Sequence, residues 1–356
     1  MRILLIIDSL VSGGAQRQFV GLAKMLKNSG FTVKVVYYHP EYFYKPFLDD
    51  AGIDNQCLPG AANHYKRIFK IAAETRRFAP DTVISYLDTP NIVACLLKAV
   101  GFKYKLIASE RNTTQKLTIR EKIKFFLMRW ADAIVPNSYS QEKFISEHFP
   151  NLMPKVSTIT NFVDTSVFVP GKETKSDRII IAARIGPQKN ELRFLDAVKI
   201  LKDKGQIFKI DWFGSCSTEE AYLAQCRTKI EEYGIKDYFE FHDATQSIIP
   251  EYQASGAFCL PSIYEGFPNV VCEAMSCGLP VLCSNVCDNP MIVDDGKNGF
   301  LFDPLSAEDM ANKIEKFISL SPQQKNEMAL RSRELSLKKF SADTFVKKYI
   351  QLFEEA

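Results

Sequence analysis

The stretch RILLIIDSLVSGGAQRQFVGLAKMLKNSGFTVKVVYY, residues 2–38, contains the pattern from which the fold class follows. It opens with an apolar run typical of a buried strand and passes through a Gly-Gly loop. Apolar residues at helical spacing follow, namely Phe19, Val20, Leu22, Ala23 and Leu26. Gly30 ends the predicted helix, and a second apolar run, TVKVVYY, comes at once. A strand, a helix and a strand in this order predict an α/β protein with a parallel sheet and helices on both faces.

The same α/β pattern runs along the whole chain. Further strands are predicted at 81–86, 104–108, 131–137, 178–184, 208–214, 238–242, 257–262 and 279–284. The polar stretch PGKETKSDR at 170–178 interrupts the pattern and predicts a linker. A length of 356 residues exceeds one ordinary core, so we expect domains at 1–170 and 171–337, with a ligand in the cleft between them. The terminal segment, 338–356, contains a predicted helix at 340–353 capped by Ser341.

Composition excludes several classes of protein. A net charge of +3 is too small to indicate a nucleic-acid partner, and 46% hydrophobic residues are typical of a globular chain. The opening residues lack the long apolar region of a secretory signal, and no apolar run reaches the ~18 residues of a membrane span. The expected compartment is cytoplasmic. Nine scattered cysteines favour small buried thiols over metal ligands, even where Cys272, Cys277, Cys283 and Cys287 cluster.

The stretch YEGFPNVVCEAMSCGLPV, 264–281, places Glu265 and Glu273 eight residues apart. Pro268 suits the first turn of a helix, so the GFPN turn precedes a helix N-terminus, where free amide groups and the helix dipole favour an anion. Two carboxylates beside an anion site suit a nucleotide sugar, which offers hydroxyls on both sides of its phosphates. The alternative, one solvated Glu and one that stabilises the helix dipole, stays open at this point.

Two loops could add phosphate contacts. ARIGPQKN, 183–190, brackets a turn with Arg184 and Lys189, which together could neutralise a diphosphate without a metal, or could be ordinary surface cations. SGGAQR, 12–17, contains Gly13 and Gly14, which allow close backbone approach and unusual backbone angles. It matches neither a dinucleotide fingerprint nor a phosphate-loop motif, and a tight turn is the alternative.

A third loop, ASERNTT at 108–114, follows a predicted strand and puts Glu110, Arg111 and Asn112 at its carboxyl end. No Asp-x-Asp occurs in the chain, and a transferase that binds diphosphate through a metal usually needs such a pair. The sequence therefore favours a metal-independent mechanism, with no metal site.

These motifs in this order resemble the retaining glycosyltransferases of family 4, which have the GT-B fold. The residues that carry the resemblance are EGFPNVVCEAMSCGLPV at 265–281, similar to the family's E-x7-E motif, and GKNGFLFDP at 296–304. The resemblance covers essentially the whole chain. It implies two Rossmann-like domains that face a cleft, with the C-terminal helix crossing back to the first domain.

The resemblance also implies roles for matching residues. Glu273 would bind the ribose, Glu265 would bind the donor sugar on its reacting side, and the departing diphosphate would be stabilised by Arg184 and Lys189. The backbone between the two glutamates would meet the sugar and phosphates through Gly266, Phe267, Pro268 and Asn269. Gly14 would approach the diphosphate, and Ala244 and Thr245 would lie near the base.

One departure concerns the acceptor side. Many family members carry a histidine at the position aligned with Arg111, where this chain reads SERN. That form is similar to the branch that builds lipid-linked oligosaccharides, including N-acetylgalactosamine transferases. It implies cofactor-free, retaining transfer from a nucleotide sugar, UDP-GalNAc or UDP-GlcNAc first, to a lipid-linked or saccharide acceptor of surface polysaccharide synthesis. A nucleotide-sugar epimerase and a non-catalytic sugar-nucleotide-binding protein are the alternatives.

The stretch from Lys66 to Trp130 carries 14 Lys or Arg and 5 Asp or Glu. Within it, KLTIREKIKFFLMRW at 116–130 predicts a helix with one apolar face, formed by Ile119, Ile123, Phe126, Leu127 and Trp130, and basic residues on the other. This pattern fits a helix on an anionic membrane surface, or a docking site for an anionic lipid-linked acceptor. It fits equally an ordinary helix whose apolar face is buried. The first interpretation predicts a peripheral protein on the inner face of the plasma membrane.

Overall fold

The computed structural model describes residues 1–58, 60, 63–112, 114, 116–171, 177–216, 219–245 and 247–354. The chain divides into two compact units, Met1–Asn161 with Ala342–Ala356, and Phe162–Ser341. The predicted linker at 170–178 lies mostly outside the described residues, which omit 172–176.

The first unit ends before the expected position 170, because residues 162–168 are held within the second unit. The Arg333 guanidinium donates to the carbonyl oxygens of Thr165 and Phe168 at 2.9 and 2.7 Å. Arg333 belongs to a helix of the second unit, so these bonds attach residues 162–168 to that unit. The first unit therefore ends at Asn161.

The first unit is a six-stranded parallel sheet of order β3-β2-β1-β4-β5-β6. Its strands are β1 (Arg2–Ile6), β2 (Thr32–Tyr37), β3 (Asp54–Cys57), β4 (Thr82–Tyr86), β5 (Lys105–Glu110) and β6 (Ala133–Pro136). Its helices are α1 (Gly14–Asn28), α2 (Lys45–Asp50), α3 (His64–Phe78), α4 (Asp88–Ala99), α5 (Ile119–Met128) and α6 (Tyr139–His148), and a 3₁₀ turn spans Pro150–Lys155. The central strands are almost wholly buried, as expected of apolar runs covered by helices on both faces.

The second unit repeats the plan, with strand order β12-β11-β10-β7-β8-β9, again all parallel. Its strands are β7 (Arg178–Ala182), β8 (Lys209–Phe213), β9 (Phe239–His242), β10 (Ala257–Leu260), β11 (Val281–Ser284) and β12 (Gly299–Phe302). Its helices are α7 (Glu191–Asp203), α8 (Glu220–Tyr233), α9 (Ile249–Ala254), α10 (Asn269–Ser276), α11 (Asn289–Ile292), α12 (Ala307–Ile318) and α13 (Pro322–Phe340). In both sheets the order reverses at the first strand of the unit, which is where open α/β sheets bind ligands.

The last helix, α14 (Ala342–Glu354), belongs to the first unit. It begins at Ala342, directly after Ser341, the predicted cap, and the preceding helix α13 ends at Phe340. Its buried face consists of Phe345, Val346, Tyr349 and Leu352. In the part of the chain that the structure describes, no helix combines the length and apolar character needed to cross a bilayer.

Candidate active site

The turn 183–190 follows β7 and is anchored on both sides. A 3₁₀ turn spans Pro187–Lys189, and Asn190 then adopts a left-handed conformation with φ of 69°. The Asn190 side chain donates to the carbonyl oxygens of Pro261 and Pro304, at 3.1 and 2.7 Å, which offsets the strain of that conformation. The turn therefore has one fixed shape at the carboxyl end of a central strand.

The structure joins this turn to the first glutamate of the E-x7-E motif. Lys189 Nζ lies 2.5 Å from Glu265 Oε1, and the Glu265 side chain is only 11% exposed. Gln188 strengthens the junction, since its carbonyl accepts from Ile263 N–H and its amide donates to the Tyr264 carbonyl, both at 2.9 Å. Two motifs 76 residues apart thus form one site.

A cleft of about 320 Å³ opens beside this ion pair. Arg184 and Lys189 supply positive charge to its wall, which also includes Gly186 and Ser215. Arg184 is exposed and forms no ion pair with the described residues, whereas Lys189 is committed to Glu265. The cleft can therefore accept an anion, with Arg184 as the available cation.

The second glutamate lies inside α10. The helix begins at Asn269, directly after Pro268, and Val271, Ala274 and Met275 form its buried stripe together with Cys272. Glu273 is the fifth residue of α10 and 5% exposed, so it is not an acid in the first turn, and Glu265 is 9% exposed, so it is not a solvated acid, as the alternative required. Gly266 and Phe267 precede the helix, and Phe267 is buried.

The backbone of Glu265 also forms a hydrogen bond with a cysteine. The Glu265 N–H donates to Cys287 Sγ at 3.4 Å, and Cys287 has a left-handed φ of 50°. Of the clustered cysteines, Cys272, Cys277 and Cys283 are buried thiols, as the sequence predicted, and Cys287 is exposed.

Glu191, the first residue of α7, was not predicted as a site residue. Its carboxylate is fully buried, and Oε1 accepts the Gly186 N–H at 2.9 Å. Burial raises the pKa of Glu191 to about 7, although the Gly186 amide opposes the shift. An acid at a helix start normally indicates only a dipole contact, so the sequence could not show that this one reaches back to the turn.

A larger cleft, of about 700 Å³, lies at the carboxyl ends of β8 and β9. Its wall includes Gly214, Arg227 and Asp243, and it shares Ile185 with the smaller cleft. Ala244 and Thr245 follow Asp243 as exposed loop residues, and Thr245 closes a short turn by accepting from Ser247 N–H at 3.2 Å. The two predicted base-side residues thus adjoin this cleft without lining it.

The Gly-Gly loop ends at the N-terminus of α1. Gly13 is extended, with φ of −154°, and Gly14 is the first helical residue, so the unusual backbone angles expected here are absent. A Cβ on Gly13 would lie 2.4 Å from Gln16 Oε1, the end of a flexible side chain that can move aside, so space alone does not require glycine here. Gln16 in turn reaches back to Asp8 Oδ1 at 3.4 Å, at the carboxyl end of β1.

The acceptor-side prediction for Glu110 needs correction. This side chain has no exposure; Oε2 binds Lys124 Nζ at 2.6 Å and Oε1 accepts from Asn91 at 3.0 Å. Burial alone would lower the pKa of Lys124, but Glu110 and Asp88 outweigh it and raise the pKa. Glu110 is one partner of an internal ion pair rather than a contact for an acceptor, while Asn112 is exposed beyond the strand.

Arg111 is committed to a structural network. Its guanidinium donates to Ser109 Oγ at 2.8 Å, Asn161 Oδ1 at 2.9 Å, the Tyr86 hydroxyl at 2.7 Å and the Tyr349 hydroxyl at 2.5 Å. It also lies over the Tyr86 ring, 4.3 Å from the centroid. Four of its five N–H groups are used, so Arg111 ties α14 to the sheet.

One group among the described residues has ligand atoms close enough for a metal, namely Asp211, Glu240 and His242, within 4.8 Å of one another. The Asp211 carboxylate is already paired with Arg178 and faces Lys209 at 3.7 Å. Arg178 and Lys209 would therefore compete with a metal ion for the Asp211 carboxylate. The three residues are also on β8 and β9, whereas Lys189 and Glu265 follow β7 and β10.

The structure of α5 and the residues after it is inconsistent with an ordinary helix whose predicted apolar face is buried. Ile119, Ile123, Phe126 and Trp130 are 77%, 54%, 57% and 41% exposed. The buried face is instead formed by Lys124, Phe125 and Met128. The predicted apolar face therefore points outward, except for the partly buried Leu127, and the opposite face fills the core.

Two family models match nearly the whole chain: Glycosyltransferase Family 4 matches residues 12–167 and Glycosyl transferases group 1 matches 163–334. A Campylobacter jejuni N-acetylgalactosaminyltransferase, named for a diNAcBac-PP-undecaprenol-linked substrate, is 29% identical over 290 residues, 77% of each chain. The amylovoran biosynthesis glycosyltransferase AmsD of Erwinia amylovora is 25% identical, covering 91% of this chain and 92% of its own. Anabaena Alr3699/HepE, solved in complex with UDP, has a TM-score of 0.87 at 18% identity and full coverage of both chains.

Proposed function

Because the chain belongs to glycosyltransferase family 4, we propose that it moves a hexose or N-acetylhexosamine from a UDP donor to a lipid-linked or saccharide acceptor in surface polysaccharide synthesis. The two expected donors are UDP-GalNAc and UDP-GlcNAc. The observation that carries the proposal is the Lys189–Glu265 pair beside the 320 Å³ cleft that Arg184 lines. Lys189 follows the carboxyl end of β7, and Glu265 follows that of β10. The GT-B fold, expected from the resemblance, is confirmed by the two parallel sheets and the fold shared with HepE.

Each part of the donor meets a group of matching chemistry. Arg184 supplies a charge for the diphosphate, and Lys189 adds a second while it orients Glu265. Glu265 accepts hydrogen bonds from sugar hydroxyls, and Glu273 from the ribose. UDP is favoured over other nucleotides because the related fold of HepE was solved with UDP.

The reaction we propose retains the anomeric configuration. The bond between sugar C1 and the β-phosphate oxygen breaks, and the acceptor hydroxyl oxygen bonds C1 on the same face. The electron pair of the broken bond stays on the β-phosphate oxygen, where Arg184 and Lys189 stabilise the developing negative charge, and the acceptor hydroxyl proton then passes to that oxygen. The proposed reaction uses no metal, since Arg184 offsets charge of the diphosphate and Lys189, although paired with Glu265, lines the same cleft.

The acceptor proposal rests on relatives and on charge. The Campylobacter jejuni relative acts on an undecaprenol diphosphate-linked glycan, and AmsD serves the synthesis of amylovoran. Helix α5 adds an exposed apolar face with Arg120, Lys122 and Arg129 around it. Such a helix lies in a membrane interface, where apolar side chains enter the lipid and cations meet anionic headgroups. We accordingly place the enzyme on the inner face of the plasma membrane.

The deciding experiment is calorimetric titration of UDP, GDP and NAD in EDTA, followed by turnover with UDP-GalNAc and UDP-GlcNAc. We expect UDP to bind without metal and Glu273→Ala to lose most of that affinity. NMR of the product should show the anomeric configuration of the donor. GDP binding alone would overturn the donor, an inverted product would overturn the mechanism, and strict dependence on a divalent cation would overturn metal independence.

A further inference from the structure

The buried carboxyl of Glu191 lies directly under the turn that carries both donor-side cations. It is the first residue of α7, it has no exposed surface, and its Oε1 accepts the Gly186 N–H at 2.9 Å. Gly186 lies between Arg184 and Lys189 in the wall of the 320 Å³ cleft. A side chain of the helix thus fixes the middle of the turn from the inside.

The rest of the turn is held by other contacts. Ile185 N–H donates to Ser215 O at 3.0 Å on one side, and Asn190 is bound to Pro261 and Pro304 on the other. Between these anchors, Glu191 provides the contact to the Gly186 amide. Gln188 is held as well, because its carbonyl accepts from Ile263 N–H at 2.9 Å. Loss of the Glu191 contact would therefore loosen the short segment between Ile185 and Gln188, which contains Gly186, while its two ends stay in place.

We propose that Glu191 is a positioning residue for donor binding, whose carboxyl holds the 184–189 turn in the shape that receives the diphosphate and whose protonation accompanies that binding. The inference rests on the proposed function, since it takes the diphosphate of a nucleotide sugar as the ligand of this turn. Glu191 touches no ligand itself; it acts through Gly186.

The electrostatic surroundings give the direction of the pH effect. The groups that face Glu191 are Lys189 of the turn and Tyr222 and Cys226 of α8. Burial raises the pKa of both Tyr222 and Cys226, so neither is charged near neutrality. Burial also brings the pKa of Glu191 to about 7. A bound diphosphate adds negative charge above this carboxyl, favours its protonated form, and should therefore bind more weakly as the pH rises through 7.

The test is UDP calorimetry in EDTA at pH 6.5, 7.5 and 8.5, on the wild type, Glu191→Gln, Glu191→Ala and the control Glu308→Gln. Glu308 is an exposed acid in the first turn of α12, so its variant reproduces the loss of a helix-start charge. We expect the wild type and the control to lose about three- to tenfold in affinity across this range. Glu191→Gln keeps an acceptor for the Gly186 N–H but cannot ionise, so it should lose the part of the change in UDP affinity with pH that depends on Glu191. Glu191→Ala removes the acceptor and should bind UDP about tenfold more weakly at every pH.

Two results would overturn the inference: the wild-type pH dependence in Glu191→Gln, or wild-type affinity in a folded Glu191→Ala. Hydrogen exchange of a peptide covering 184–190 gives a readout without ligand, with faster exchange expected in Glu191→Ala and unchanged exchange contradicting the proposal. If the wild type binds no UDP, the proposed donor is wrong. The exchange result then decides separately whether Glu191 holds the turn.

Discussion

At the scale of single residues, the pairing of Lys189 with Glu265 shows how far sequence reasoning reaches. Each residue could be selected because it stands in a motif of the right chemical type at the end of a strand. Their direct contact could not be predicted from the sequence, because it depends on β7 and β10 lying side by side in one sheet, and neither motif encodes that pairing. The same limit explains why the burial of Glu110 was not predicted. Its carboxylate is paired with Lys124, which lies 14 residues further along the chain on α5.

Lys189→Ala and Glu265→Gln should separate the two roles of this pair. Lys189→Ala removes a phosphate-side charge and leaves Glu265 nearly buried without its cation, so it should weaken UDP binding and lower kcat. Glu265→Gln should leave UDP binding nearly unchanged and lower kcat by about 10²–10³-fold, the usual cost of losing an electrostatic contact at the reacting centre. Steady-state kinetics and UDP calorimetry measure both effects.

Lys199→Ala serves as the matched control for that pair. Lys199 forms an exposed ion pair with Asp203 one turn along α7, where such pairs contribute little. Its loss should leave kcat and UDP affinity unchanged. Equal effects of Lys189→Ala and Lys199→Ala on kcat would show that charge at position 189 has no special role.

Glu191 should also make the stability of the second unit depend on pH. Its carboxyl has a pKa of about 7 when folded, against an ordinary value of 4.5. The stability that this group contributes is complete below about 4.5 and is lost as the pH rises through 7. Glu191→Gln, which stays neutral, should match the wild type at pH 4 and exceed it by about 1–3 kcal/mol at pH 8. Urea unfolding followed by Trp212 fluorescence, in a Trp130→Phe background, measures this, and a constant difference across pH would contradict it.

At the scale of elements, the strands that could be predicted are those with continuous apolar runs, because a strand buried on both faces needs apolar side chains at every position. Two strands were not predicted. β3 reads DNQC and is polar because it lies at the sheet edge. β12, GFLF, is a short run of the kind that can be either strand or helix.

Helix α13 was missed for a different reason. Its buried face includes the serines Ser332 and Ser336, whose hydroxyls donate to the carbonyl oxygens of Asn298 and Cys272 at 3.2 and 3.4 Å. A helix that packs partly through small polar residues shows little apolar periodicity. Its pattern therefore resembles that of a solvated segment, although the helix is part of the core of the second unit.

The exposed face of α5 predicts binding to anionic vesicles. We expect the wild type to co-sediment with vesicles that contain phosphatidylglycerol at low salt, and less at high salt, because cations and apolar side chains act together. Replacing Ile119, Ile123 and Phe126 by Ser should reduce binding at least about tenfold, since each removes an apolar group that would enter the lipid. Substituting the exposed Leu330 of α13 is the control. Equal binding by the triple variant would exclude α5 as the contact.

At the scale of the whole molecule, the chain leaves its first unit at Asn161 and returns to it at Ala342. The first unit is therefore assembled from two segments that are far apart in sequence. α14 buries four large side chains there, and the Tyr349 hydroxyl accepts from Arg111 and lies 3.0 Å from that of Tyr86. The first unit should then depend on the last fifteen residues, while the second unit, Phe162–Ser341, contains no part of them.

Removal of residues 342–356 should destabilise the first unit alone. The loss exposes the apolar surface against which α14 buries its four side chains, and it leaves Arg111 and the buried Tyr86 hydroxyl with fewer partners. Each such group costs about 1–3 kcal/mol. The two tryptophans provide the measurement, because Trp130 lies in the first unit and Trp212 in the second. In single-tryptophan backgrounds, truncation should lower the urea midpoint reported by Trp130 and leave that reported by Trp212 in place. Tyr349→Phe should shift the Trp130 midpoint in the same direction by a smaller amount, because it removes only the hydroxyl. Equal shifts at both tryptophans would show that the units unfold as one, and no shift at either would show that α14 contributes little to the first unit.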